Sequence, residues 1–364
     1  MNVGQKTVVV LGAGAMGSAF TTPLTRNGHR VRLWGTWLDD DLLAEMRAGR
    51  PHPHTGVVVD ARVELFPSAR LAAALDGADL IVLAITSTGV AEVYARALRH
   101  CAAGLPFLIA SKGFGRDTGG RVLLIPDLLD RAAPGRHPFV AIAGPCKANE
   151  VGDGRPSVAV FATQDVRLGR HCAHMFATDT YTVIVVADIA GVEMAAATKN
   201  AYAIALGICD GLGGAGGQPW HNLKAALFGQ AVAEMGVLSA AVGGRVDTVY
   251  GFPGVGDLEV TGLSGRNRAL GERIGRGQPT GEAIAAMEGS GQTIEGPAAA
   301  RLAWALARSL EERGHVATAN VPLLAGLIRI LDAGAPPLPL LARLLPSFAE
   351  TDRTEVEREA AGTE

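Results

Sequence analysis

Short runs of apolar and β-branched residues punctuate the first half of the chain, at Thr7 to Leu11, Arg30 to Trp34, Asp79 to Ile85, Pro106 to Ala110, Phe139 to Ala143, Ser157 to Phe161 and Tyr181 to Val186. Most are separated by stretches compatible with helix. Alternation of this kind predicts a doubly wound α/β fold with a parallel sheet. Between the second and third runs, Pro51-His52-Pro53-His54-Thr55-Gly56 breaks any helix and marks a loop, after which Val57-Val58-Val59 reads as an extra strand or an edge.

After Asp188 the pattern changes. The β-type runs stop, and long Ala- and Leu-rich segments continue to about Leu345, which predicts an all-α second half. The expected division is a sheet domain over 1–188, a helical domain over 189–345 and a polar, charge-rich tail over 346–364. Gly213-Gly214-Ala215-Gly216-Gly217 interrupts the helical part, either as a flexible connection or as a loop that closes over a bound ligand.

A chain of 364 residues has the length for two domains, and 48% hydrophobic with 19% charged residues is the composition of a globular enzyme. The formal charge of −3 gives no global pull toward nucleic acid, so an anionic ligand must be held by local charges. The first strand begins too early to leave room for a signal peptide, and no apolar stretch reaches the ~18 residues of a membrane span. Cys101, Cys146, Cys172 and Cys209 form no CxxC pair, which fits reduced thiols in a cytoplasmic protein.

The first strand runs into Gly12-Ala13-Gly14-Ala15-Met16-Gly17 and then a helical segment, the context of a dinucleotide-binding fingerprint. Gly12 permits the tight turn, Gly14 lets backbone approach a pyrophosphate, and Gly17 brings helix and strand together. The phosphates would lie at the helix N-terminus, where free N–H groups and the dipole favour negative charge. Three glycines alone are also explained by turns; the strand before and helix after are what make the motif specific.

Ile189 to Gly211 is apolar nearly all round, as a buried helix is, yet carries Thr198-Lys199-Asn200. Lysine is rarely buried without a partner. Lys199 is either a snorkelling side chain on a narrow wet stripe or a cleft lysine tuned for proton exchange. Farther on, Gly254-Val255-Gly256-Asp257-Leu258 and Thr261 precede Ser264-Gly265-Arg266-Asn267-Arg268 and another helical pattern. A cap at Ser264 or Gly265 would set Arg266 and Asn267 beside free N–H groups, a phosphate site, unless these are ordinary surface arginines. Ser111-Lys112-Gly113 and Gly144-Pro145-Cys146-Lys147-Ala148 each follow a strand, where open α/β sheets bind ligands. His171 and His174, like His52 and His54, lack a clear third ligand and read as packing or surface histidines, with no metal site.

Taken in order, the glycine fingerprint, Ser111-Lys112-Gly113, Gly144-Pro145 with Ala148 and Glu150-Val151, Thr198-Lys199-Asn200, Gly256-Asp257-Leu258, Gly265-Arg266-Asn267-Arg268 and Ile294-Glu295-Gly296 resemble the NAD(P)-dependent glycerol-3-phosphate dehydrogenases of the soluble bacterial type. The resemblance runs from Val8 to about Ala305. It implies a Rossmann-type domain followed by an all-α domain, a homodimer, and hydride transfer between NAD(P)H and the C2 carbonyl of dihydroxyacetone phosphate to give glycerol 3-phosphate. By the same resemblance Lys199 is the general acid/base, Lys112 and Asp257 orient substrate and lysine, and Thr261, Arg266 and Asn267 hold the phosphate. Ala15, Met16, Ala148, Arg266 and Glu295 would lie against the cofactor, with Gly12, Gly14 and Gly17 of the fingerprint.

Some positions depart from the family pattern. A small residue and an aromatic commonly follow Gly-Pro, whereas Cys146 and Lys147 stand here; Gln218-Pro219-Trp220-His221 is unusual, and Phe228-Gly229-Gln230 replaces a frequent Ile-Thr-Arg. A related phosphorylated or phosphonylated ketone is therefore an alternative substrate, and a non-catalytic nucleotide sensor an alternative role. The second strand ends in Trp34-Gly35-Thr36-Trp37, with neither the acidic residue that favours NAD nor the arginine that favours NADP, and Asp39 falls too late. Thr36 would hydrogen-bond either a ribose 2′-OH or a 2′-phosphate, which points to use of both cofactors.

Overall fold

The computed structural model describes residues 4–214, 217–290 and 292–344; the tail expected over 346–364, and Ala215 and Gly216 of the glycine-rich loop, lie outside them. The first half alternates as its hydrophobic runs require, through β1 (Thr7–Leu11), α1 (Ala15–Arg26), β2 (Arg30–Trp34), α2 (Asp40–Arg47), β3 (Glu64–Phe66), α3 (Leu71–Leu75), β4 (Leu80–Leu83), α4 (Val90–Ala97) and β5 (Phe107–Ile109). A small hairpin of β6 (Phe114–Arg116) and β7 (Val122–Leu124) leads into α5 (Ile125–Ala132). Then come β8 (Phe139–Ala143), α6 (Ala148–Gly152), β9 (Ser157–Ala162), α7 (Val166–Phe176) and β10 (Tyr181–Val186).

Eight of these strands form one sheet in the order β10-β9-β8-β5-β4-β1-β2-β3. Its β3-β2-β1-β4-β5 portion is the mononucleotide-binding half of a Rossmann fold. Successive residues of β1 face opposite layers: Val8 and Val10 pack into one core cluster, Val9 and Leu11 into the other. The sheet is mixed where a parallel one was expected. β9 runs antiparallel to β8, with Ala141 opposite Ala162, because their connection carries only α6, which packs on α1 and does not cross the sheet as a full helix would.

Val57 to Val59 form no strand, contrary to the expectation there. Val57 is instead packed under α6, so close that a Cβ on Gly152 would meet its Cγ2 at 2.2 Å. The edge belongs to β3, where Glu64 accepts hydrogen bonds from the Arg30 guanidinium of β2.

The helical domain opens with α8 (Ile189–Gly211), whose first turn is capped by Asp188, its Oδ1 accepting from Gly191 N at 2.9 Å. Around α8 lie α9 (His221–Ala241), α10 (Val246–Tyr250), α11 (Asp257–Leu263), α12 (Arg266–Gly275), α13 (Thr280–Gly289), α14 (Gly296–Glu312), α15 (Pro322–Ala333) and α16 (Pro337–Ala342). α12 meets α8 backbone to backbone: a Cβ on Gly271 would lie 2.0 Å from Ile204 O, and one on Gly207 2.0 Å from Arg268 O. Small residues on both helices permit this approach, which fixes the N-terminus of α12 against the middle of α8. Among the described residues, no helix is long and apolar enough to cross a membrane.

Candidate active site

Lys199 sits near the middle of α8, in the isolating apolar environment that its sequence neighbours predicted, and its side chain is only 9% exposed. The partner is Asp257. A π-helical turn, Phe252–Gly256, delivers that carboxylate at the start of α11 with its side chain 2% exposed. Lys199 Nζ donates to Asp257 Oδ1, and Lys112 Nζ, from the loop after β5, donates to Asp257 Oδ2 at 2.7 Å. One buried carboxylate thus bridges two ammonium groups drawn from opposite halves of the chain.

This arrangement sets the proton affinities. Burial, the largest influence on Lys199, disfavours its charge; Asp257 opposes and Lys112 reinforces that effect, and the balance lowers Lys199 to about 8. Lys112 is also disfavoured by burial, but attraction to Asp257 outweighs it and the lysine is raised. Burial works against the Asp257 charge as well, and the two lysines overcome it, holding the carboxyl below its usual range. A lysine near neutrality beside one firmly charged can exchange a proton within a fixed electrostatic frame.

At the mouth of β1, Gly12 has φ +105°, and a Cβ there would lie 2.6 Å from Ala84 O; a Cβ on Gly17 would lie 1.9 Å from Gly12 O. Gly14 differs, since its Cβ would meet nothing within 4 Å. The open face at Gly14 adjoins the first turn of α1, where Ala15 and Met16 present backbone N–H groups with no side-chain cap. These residues fit a dinucleotide pyrophosphate. Ala148 opens α6 and packs with Met16 against one core cluster.

Asp39, judged too distant from the sequence, folds back to this loop. Its Oδ2 accepts from Thr36 N at 2.8 Å, Thr36 Oγ1 at 2.9 Å and Ala13 N at 3.3 Å. The Thr36 hydroxyl proton is therefore committed to Asp39, and an acidic group stands beside the glycine turn after all. His52 is buried, its Nε2 without a hydrogen-bond partner among the described residues, and has Ala13 and Asp39 among its neighbours. Burial pushes its imidazole below the usual value, with His54 adding to that effect.

α12 begins at Arg266 behind Gly265, whose φ of +145° suits glycine, and no side chain caps it. Ser264 ends α11 and is not the cap offered by the sequence. Thr261 Oγ1 donates back to Asp257 O at 2.6 Å. Asn267 is buried, and its Oδ1 accepts from Gly296 N at 2.8 Å, tying the start of α12 to the start of α14. Glu295 lies just before that point: burial raises its carboxyl, while Arg266, Lys199 and Lys112 pull it down, so all four charges share one space. Of the unusual positions, Gln230 turns into the helical core and donates to Glu234 at 2.9 Å.

Sequence reading overlooked Glu193. This residue lies six positions before Lys199 on α8, 1% exposed, with both carboxyl oxygens unpartnered among the described residues. Burial, then Asp127, raises its carboxyl well above the usual range against the pull of Lys112. An acid in the Ala-rich first half of the helix was the available signal.

Known proteins match the chain over nearly its whole length. The model of the N-terminal part of NAD-dependent glycerol-3-phosphate dehydrogenase matches residues 7–169, and that of its C-terminal part matches 188–342. The chain belongs to the NAD-dependent glycerol-3-phosphate dehydrogenase family. It is 35% identical over 329 residues, 90% of this chain and 95% of the relative, to the NADP(+)-dependent glycerol-3-phosphate dehydrogenase of Archaeoglobus fulgidus. Against the glycerol-3-phosphate dehydrogenase [NAD(P)+] of Symbiobacterium thermophilum it is 34% identical over 345 residues, 93% of each chain. Among solved structures, glycerol-3-phosphate dehydrogenase from Coxiella burnetii superposes with a TM-score of 0.80 at 28% identity, covering 94% of this chain and 99% of that one. In this dehydrogenase family setting, the fingerprint, the buried lysine and the uncapped helix lie in one continuous chain order.

Proposed function

We propose that the chain interconverts dihydroxyacetone phosphate and glycerol 3-phosphate, with NAD(P)H as the hydride donor. The observation that carries this reading is the buried bridge of Lys112, Asp257 and Lys199 beside Arg266 and Glu295. A bound nicotinamide supplies the hydride in reduction and accepts it in the reverse direction. Lys199, near 8, donates a proton to the alkoxide oxygen formed at C2 and recovers it in oxidation. Asp257 orients that ammonium, and Lys112, 21% exposed, retains surface with which to bond the substrate.

The phosphate end fits the start of α12. Arg266 offers its guanidinium fork, the uncapped helix terminus adds N–H groups, and Asn267, with Oδ1 engaged, has its Nδ2 to donate. Thr261 borders this side, its hydroxyl donating to Asp257 O, a bond it would have to exchange to donate to a phosphate oxygen. Gly12, Gly14, Ala15, Met16 and Gly17 would cradle the pyrophosphate, Thr36 would border the adenosine ribose through Asp39, and Ala148, Arg266 and Glu295 would line the remaining cofactor wall. The working division is 1–188 for cofactor and 189–345 for substrate, in a cytoplasmic homodimer.

The test is a spectrophotometric screen of NADH and NADPH oxidation against phosphorylated and unphosphorylated ketones. Rapid turnover of dihydroxyacetone phosphate supports the assignment. Turnover confined to another phosphorylated or phosphonylated ketone moves the substrate within the class, and no turnover with any of them rejects the reading.

A further inference from the structure

Lys147 stands where the resembling family commonly has an aromatic, and the fold gives it an address. The loop after β8 turns at Gly144, with φ +114°, and then lays Pro145 against the catalytic turn: a Cβ on Gly256, the residue before Asp257, would lie 3.4 Å from Pro145 Cγ. Two residues on, Lys147 reaches across 117 positions of sequence and donates from Nζ to Ser264 Oγ at 3.0 Å. Ser264 is followed directly by Gly265 and the uncapped start of α12.

We propose that Lys147 is a second cationic ligand for the substrate phosphate, and that it sets this chain's preference for doubly charged ketones. This rests on the reading of Arg266 as the phosphate anchor. Neither Lys147 nor Arg266 forms an ion pair among the described residues, and the serine hydroxyl that Lys147 meets carries no charge. Two cations held near one helix N-terminus repel each other and are each disfavoured by the dipole's positive end. A dianion between them removes both penalties. Lysine suits this place because its flexible stem can leave Ser264 for a ligand a few ångströms away, whereas arginine at the helix start supplies the directional fork. An aromatic side chain at 147 would wall the pocket without adding charge.

The experiment compares wild type, Lys147→Ala, Lys147→Arg and Arg266→Ala on dihydroxyacetone phosphate and dihydroxyacetone, with cofactor affinity read separately by nucleotide fluorescence. Lys147→Ala should lower the preference for the phosphorylated ketone about tenfold, mainly through KM, and weaken competitive inhibition by inorganic phosphate in parallel; Lys147→Arg should restore much of both. If Arg266→Ala loses that preference and Lys147→Ala keeps it, Lys147 is no phosphate ligand and only this inference falls. If neither variant alters the preference, the phosphate reading of the α12 terminus falls with it. Equal losses on both ketones would make Lys147 a clasp between loop and helix, which also overturns the proposal. Lys147 is exposed, so a folded variant is expected, and a melting curve checks it.

Discussion

Lys112 and Asp257 are 145 residues apart along the chain and 2.7 Å apart in the fold. Through that contact the loop after β5 fixes the charge of the carboxylate that steadies Lys199. The acid/base behaviour of Lys199 is thus decided by elements on which it does not sit.

On the proposed role of Lys199, reduction requires its ammonium and oxidation its neutral amine. With Lys199 near 8, the rate of ketone reduction should decline as pH rises through about 8, and alcohol oxidation should decline as pH falls through it. Lys199→Met should reduce turnover by ~10² to 10⁴ while cofactor binding persists. Stopped-flow rates across this range test the role, and profiles flat in both directions would remove it.

Asp257→Asn withdraws the attraction that supports both lysine charges. The reduction limb should then move to lower pH, because Asp257 raises Lys199 in the native chain. A limb that stays in place, measured on residual activity, would show that something other than Asp257 holds the ammonium.

Gly14→Val separates folding from binding. A Cβ at Gly14 meets nothing in the protein, so the variant should melt close to wild type, yet its side chain occupies the face offered to the pyrophosphate. Loss of NADH and NADPH binding in a folded variant is the expected result. Gly17→Ala makes the contrast, since its Cβ would collide with Gly12 O at 1.9 Å and should disturb the loop itself.

For cofactor choice, Asp39 is the residue to change. Its carboxylate is oriented by Ala13 and Thr36 and would repel a 2′-phosphate while accepting from a 2′-hydroxyl. Asp39→Ser should raise the NADPH to NADH ratio of kcat/KM by about tenfold, the equivalent of roughly 1.4 kcal/mol. An unchanged ratio would place selection elsewhere, with His52 and His54 next in line.

Gly271→Ala tests the seam between α8 and α12. The added methyl would meet Ile204 O at 2.0 Å, so the helices must part. Overpacking of this kind destabilises by ~1 to 3 kcal/mol, and each kcal/mol lowers the melting temperature of a sizeable domain by about 2 to 4 °C. No measurable shift would mean that α12 yields freely.

Much of this architecture was legible because it is local. Bounded apolar runs such as Val8 to Leu11 announce strands, and a lysine amid Ala195-Ala196-Ala197 and Ala201-Tyr202 announces an exceptional environment. What escaped depends on where distant segments come to rest. Val57 and Val59 are buried and Val58 exposed, a strand's alternation, but among the described residues no neighbouring strand supplies a ladder, and Val57 O accepts from His52 N within its own loop. The reversal of β9 depends on α6 settling against α1, and Asp39 serves the glycine loop only because the chain doubles back after Thr36. Ser264 was readable as a cap by type, yet the left-handed turn at Gly265 displaced it from that position.

Lys112 and Lys147 come from the sheet half, while Lys199, Asp257 and Ser264 come from the helical half. A chimera that borrowed its helical half from a relative would inherit the buried lysine of α8 and its carboxylate, but would bring them to a foreign pair of lysines. On the proposed assignment, retargeting the enzyme by exchanging that half would demand co-selection of the two loops after β5 and β8, since the seam between the halves would itself be part of the reaction centre.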